Sequence, residues 1–178
     1  MELNNKMTNT EKIQRMRNNA RVWIYQSNRE LSTDETLEIE NKLAHFTENW
    51  TAHNQQLLAT AFINYNRFIV LMVDESQAGA SGCSIDKSVN FIKEIEKDYQ
   101  IDLFDRLHIA YKLDYKVDSV SASEFEKLIK AGIVNQETIV FNNLVNTKLE
   151  LATNWELPIN RSWHKDYFSS ALPAISID

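Results

Sequence analysis

Hydrophobic and polar positions group along this chain into short dense blocks and longer periodic stretches. The densest block is Phe68-Ile-Val-Leu-Met-Val73, six consecutive apolar residues held between Arg67 and Asp74-Glu75. A run of that length and β-branched character predicts a fully buried strand. Leu57 to Tyr65 predicts a second strand, and Asn64 to Asn66 supply the turn of a hairpin. Arg21-Val-Trp-Ile-Tyr-Gln26 reads as an earlier strand ended by Ser27-Asn28. Between these, Ser32-Thr-Asp-Glu35 has the form of a capping box, and Ile39, Leu43, Phe46 and Trp50 recur at helical spacing on one face. Beyond the block, Ile85, Val89, Ile92 and Tyr99 trace a second amphipathic helix that starts near Ser84, and Leu107-His-Ile-Ala-Tyr111 is a further strand.

Strand, helix, strand, strand, helix, strand is the order of two split βαβ units. It predicts an α+β fold with a ferredoxin-like βαββαβ antiparallel sheet and both helices on one face. A C-terminal α/β/α extension follows. Ser121-Ala-Ser-Glu124 repeats the capping box, Phe125, Leu128 and Ile129 form an apolar face, and Gly132 stands where a left-handed cap is wanted. Thr138 to Phe141 reads as a strand, and Asn142 or Asn143 caps a helix carrying Leu144, Lys148, Leu151 and Trp155 up to Pro158. The expected organisation is a loosely docked arm over residues 1–19 and one globular domain over 20–178, divided into a core at 20–118 and the extension at 119–178. The tail, Trp163 to Phe168 and Ala171 to Ile177, is apolar enough to dock on the body or on a second copy of the chain.

Composition narrows the class. The 178 residues are 43% hydrophobic and 25% charged, with no apolar run near the roughly 20 residues of a membrane span. A cytoplasmic protein without membrane insertion is expected, since Met1 to Asn19 lacks the pattern of a secretory leader. The net charge of −6, with both signs interspersed, argues against nucleic acid as a partner. Four scattered histidines, His45, His53, His108 and His164, and a single cysteine make no zinc pattern.

Candidate chemistry gathers after the apolar block. Gly79 and Gly82 are two of only three glycines, and Cys83 is the only cysteine. Glycines there predict unusual backbone geometry. Gly79, Ser81, Gly82, Ser84 and Lys87 at a helix start suit a small anion. Cys83 in the same position is a candidate nucleophile, the helix dipole favouring its thiolate, with His108 or His164 as the base that folding would bring near. Asp74 and Glu75 at the strand end are candidate ligands for a divalent cation.

Val70-Leu-Met-Val-Asp74-Glu75 resembles the Walker B strand of ABC-transporter ATPases. Over Ala20 to Gln26, Arg67 to Ser88, Asp102 to Arg106 and Val140 to Val145, and broadly from Arg21 to Phe168, the chain is similar to a family of small cytoplasmic bacterial proteins often labelled "ABC transporter ATPase". That label implies a metal- and nucleotide-dependent hydrolase in which the Asp74 position helps hold magnesium and the Glu75 position polarises water. No glycine precedes Gly79, so the upstream phosphate-cradling loop has no counterpart, and Leu-Ser-Gly-Gly-Gln does not occur ahead of Val70. No catalytic residue is carried over from the resemblance. Two classes follow: a non-enzymatic binding module that takes a small anion at 79–88 and pairs with itself, or an enzyme working through Cys83 or through Asp74 and Glu75. No motif specifies a cofactor.

Overall fold

In the computed structural model, which describes residues 7–171, helix α1 (Asn9–Arg15) is followed by strand β1 (Arg21–Gln26) and helix α2 (Thr33–Asn49). A short hairpin, β2 (Thr51–Ala52) and β3 (Gln55–Gln56), leads to strands β4 (Leu58–Asn64) and β5 (Phe68–Asp74) and helix α3 (Gly82–Tyr99). The second half holds β6 (His108–Leu113), β7 (Lys116–Ser121), α4 (Ala122–Lys130), β8 (Ile139–Phe141), α5 (Lys148–Thr153), β9 (Glu156–Pro158), two single 3-10 turns and α6 (Asp166–Ala171). This is an α+β protein with six helices and three antiparallel sheets among the described residues. None of those helices is long and apolar enough to cross a membrane.

The apolar block became the middle strand because both of its faces are covered. β5 lies between β1 and β4, and all seven of its residues are buried. Ile69, Leu71 and Val73 face α2 and α3 through Ile39, Leu43, Trp50, Ile92 and Ile95. Val70 and Met72 face Val22 and the Met16 side chain, while Phe68 meets Ala110, Phe141 and Trp155 of the second half. Each such side chain stabilises the fold by about 1.5–3 kcal/mol relative to exposure. The hairpin turn between β4 and β5 holds Tyr65 and Asn66 at φ 54° and 47°, the left-handed region that asparagine tolerates. Ser32 and Glu35 form the expected reciprocal cap of α2, with Glu35 held to a pKa of about 2 chiefly by its hydrogen bond from Arg29.

The first five elements of the expected βαββαβ order are present, yet a ferredoxin-like four-stranded sheet is not shown. β6 does not join β1. It pairs with β7 and β8, and β9 completes a separate sheet in the order β7-β6-β8-β9. Ile109 and Tyr111 point to Phe125 and Ile129 of α4, whereas Ala110 points to Phe68, so this sheet packs against the Phe68 end of the first. Helices α2 and α3 cover one face of the first sheet, α1, α5 and the second sheet share its other face, and α4 and α6 cover the far face of the second sheet. Strand β7 carried no period-two signal because Val117 and Val120 are an odd number of residues apart and enter different clusters.

Two further expectations change. The helix foreseen from Asn142 is limited to Lys148–Thr153 and capped by Thr147, whose Oγ1 accepts from the Glu150 amide at 3.2 Å. Asn142 instead folds a turn, its side-chain oxygen and carbonyl accepting from the Leu144 and Val145 amides. Trp155 is buried, but in the aromatic cluster of Tyr65, Phe68 and Phe141 rather than along a helix face. In the N-terminal arm, Thr8 caps α1, Met16 is buried, and Asn9 covers the outer edge of β4 by donating to the Ala61 carbonyl at 2.9 Å and accepting from the Thr60 hydroxyl. The expected docking of residues 172–177 lies outside the described residues.

Candidate functional site

The loop after β5 is built differently from the sequence expectation. Helix α3 starts at Gly82, and Ser81 rather than Ser84 is its cap, its Oγ accepting from the Ser84 amide at 3.3 Å. The Ser84 side chain is buried and donates to the Ser81 carbonyl at 2.8 Å, which turns this hydroxyl away from any anion. Neither Gly79 nor Gly82 has a positive φ, and a Cβ at either would meet nothing within 4 Å. The unusual backbone geometry expected there lies elsewhere, at His53, Asn54, Tyr65, Asn66, Gln100, Asp114 and Gly132. Lys87 is exposed one turn into the helix.

The strand-end carboxylates are engaged within the chain. Asp74 is 3% exposed and accepts from the Arg17 amide at 2.7 Å and the Ser76 amide at 2.9 Å. Burial pushes this carboxyl up, but those hydrogen bonds outweigh it and hold the pKa below its usual value. Glu75 accepts from the Ala80 amide at 2.9 Å and lies 3.9 Å from Arg21. Among the described residues no group of three acidic, histidine or cysteine side chains is placed to hold a metal ion. Cys83 is exposed, with no hydrogen-bonded base beside it among the described residues. His108 and His164 are not its neighbours; both line a cleft on the far side of β1.

That cleft was not foreseen, and it follows from an interrupted strand pairing. The amide of Val22 donates to the Asn146 carbonyl at 2.9 Å and Arg21 bridges to Thr147, so the segment after β8 begins to pair with β1. The Asn146 amide then turns to the Glu150 carboxylate at 2.9 Å, and the Asn142 turn carries residues 143–145 away. In a strand, N–H and C=O of alternate residues share one edge. Ser27, which continues β1, donates to the Arg67 carbonyl on the β5 side, so Val22, Ile24 and Gln26 face the other way. Ile24 therefore presents an N–H and a C=O that have no partner among the described residues.

The opening has a volume of about 330 Å³ and is lined by β1, residues 103–106, the 141–146 segment and the first 3-10 residues after Ser162. Its two ends are tied. Val22 and Asn146 close one, and at the other the Asn143 Nδ2 donates to Gln26 Oε1 at 2.8 Å while Gln26 Nε2 donates to the His108 carbonyl at 3.2 Å. His164 is 2% exposed, with Nδ1 2.7 Å from Ser162 Oγ and no partner for its other nitrogen among the described residues. Burial lowers its pKa to about 4, so the imidazole is neutral at pH 7. Trp163, 42% exposed, stacks on that ring with centroids 3.8 Å apart. Asp105 holds His108 Nδ1 at 2.6 Å and also accepts from the Leu107 amide at 2.7 Å, the latter contributing most to its lowered pKa. Arg106 beside it is exposed and makes no ion pair among the described residues.

A wider depression of about 410 Å³ lies at the β4–β5 turn, but Glu30 and Asp118 flank Arg67 and Lys116 there and the charges cancel. Arg67 itself is a tie between the sheets, donating to the Ser27 carbonyl and the Ser119 hydroxyl. Of the cleft residues, His108, His164 and Trp163 had drawn notice in the sequence separately. Arg106, Gln26 and the Ile24 edge had not, since an unpaired backbone edge leaves no trace in side-chain pattern. No family model, curated protein or solved structure matches the chain.

Proposed function

We propose that the protein is a non-enzymatic binding module whose ligand occupies the cleft beside β1. The observation that carries this reading is that the Ile24 N–H and C=O, without a partner among the described residues, open into a concave site rather than onto a flat sheet edge. A buried neutral His164, an exposed Arg106 and a partly exposed Trp163 surround the same opening, and neither the second His164 nitrogen nor the guanidinium has a partner among the described residues. A few convergent polar groups among apolar walls is the form a small-ligand site takes. The 79–88 loop, by comparison, offers the amides of a helix start and the charge of Lys87 with Ser84 turned inward, so the anion expected there is better placed at Arg106.

A fragment screen followed by amide and indole NMR signals tests the assignment. Shifts gathered at Ile24, Arg106, Asn143 and Trp163 are the expected result. Shifts gathered at Gly82, Cys83 and Ser84 would return the site to the loop, and a screen without any cleft shift would remove it.

A further inference from the structure

Building on the cleft reading, we infer that the ligand is a flat heterocycle with a cyclic imide edge and an anionic arm, the chemistry of a pyrimidine nucleoside monophosphate. Three features of the cleft select it. The Ile24 N–H and C=O leave the strand from one edge, side by side. Their complement is an acceptor beside a donor on a rigid ring, as in an imide C=O and N–H.

The closed ends decide between such a ring and a peptide. An extended chain adding to β1 would run past both Val22 and Gln26, where the Asn146 carbonyl and the Asn143 side chain already stand. The four residue steps between these ties span only about 13 Å of strand. A short rigid ligand enters through the face of the cleft and leaves both ties intact; a peptide strand breaks them. The wall on that face is aromatic. One side of the Trp163 indole covers His164, and its partial exposure leaves surface for a second ring, since aromatic planes pair by offset stacking.

The arm is assigned by charge. Arg106 stands at the mouth with no ion pair among the described residues, Asp105 beside it being committed to His108 and to the Leu107 amide. A guanidinium so placed takes a phosphate through paired N–H donors. The second nitrogen of His164 gives a further hydrogen bond to the ring or the sugar in either tautomer.

The test uses the intact chain and uridine 5′-monophosphate, with uridine, the N3-methylated nucleotide and inorganic phosphate as comparison ligands. Titration to millimolar concentration is followed by the Ile24 amide and Trp163 indole signals. The monophosphate is expected to shift both. N3-methylation, which removes the donor to the Ile24 carbonyl, weakens binding about tenfold, the effect of one lost hydrogen bond. Loss of the phosphate, or Arg106→Gln, weakens it by a similar factor, and because Arg106 is exposed the variant keeps its thermal midpoint. Indifference to N3-methylation overturns the inference, as does a phosphate response confined to Gly82 and Ser84. If fragments shift the cleft signals while the monophosphate does not, the ligand class falls and the cleft stands. An alternating Val-Thr peptide that binds more tightly than the nucleotide, and loses affinity on N-methylation of its backbone, would also overturn it.

Discussion

Gln26 and Asn143, 117 residues apart in the chain, meet side chain to side chain, and each also holds a further group: the His108 carbonyl for Gln26 and the Trp155 indole N–H for Asn143. This relay joins the first sheet to the second and fixes one end of the cleft. Gln26→Ala strips a partner from the Asn143 amide and from the His108 carbonyl at a position only 7% exposed. A loss of about 1–3 kcal/mol is expected, the penalty for leaving buried polar groups unsatisfied. Urea titration reads it as a lowered midpoint, and an unchanged midpoint would show that water replaces the side chain at no cost.

Acid should weaken the fold through His164. An unfolded histidine titrates near pH 6.5, roughly the usual value, while burial holds the folded one at about 4. Between those values the unfolded chain carries the extra proton, so stability rises with pH across the window. The contribution is complete above the unfolded pKa and disappears as pH falls through the folded one. The difference corresponds to about 3 kcal/mol. Glu35, with its pKa of about 2, releases its own contribution only below its ordinary value of 4.5, so the two windows are nearly separate. Stability measured from pH 7 to pH 4 should slope for the native chain and flatten for His164→Gln. Equal slopes for both would refute the assignment.

Asp74 acts as a clasp for the N-terminal arm. Its carboxylate accepts the Arg17 amide at 2.7 Å, immediately after the buried Met16. Asp74→Ala should therefore lower stability by about 1–3 kcal/mol and raise hydrogen exchange across α1 more than across α3. Uniform exchange throughout the chain would contradict the clasp.

Cys83 is expected to be dispensable. It is exposed and no side chain among the described residues is hydrogen-bonded to it, so Cys83→Ser should leave the thermal midpoint and the cleft signals where they were. Loss of ligand binding in this variant would move the site back to the start of α3.

The parts of the fold that a single strand or helix decides for itself were legible in the sequence. The Phe68–Val73 block, the Ser32 and Ser121 capping boxes, the Gly132 cap at φ 68° and the Ile39 and Leu43 face all appear where their local chemistry demands. What failed depended on choices between distant segments. Whether Ile109 and Tyr111 extend the first sheet or start another is settled by α4 and β7, which local pattern does not rank. Leu144 and Trp155 share helical spacing by coincidence, one being 68% exposed and the other 4%. Gly79 and Gly82 stand out by their rarity, yet apart from Gly132 the left-handed positions are taken by asparagine, histidine, tyrosine, glutamine and aspartate. The cleft was invisible because it arises where residues 142–146 stop pairing with β1, an event of backbone geometry.

Asn9 has a consequence beyond α1. Its amide caps the Ala61 carbonyl in the middle of the outer edge of β4, where Ala59, Ala61 and Ile63 turn their ladder groups away from β5. Bare edges of that kind template intermolecular sheet growth. A chain shortened past Arg17 is therefore expected to aggregate below its melting midpoint, and an elution volume in size-exclusion chromatography equal to that of the intact chain would refute this.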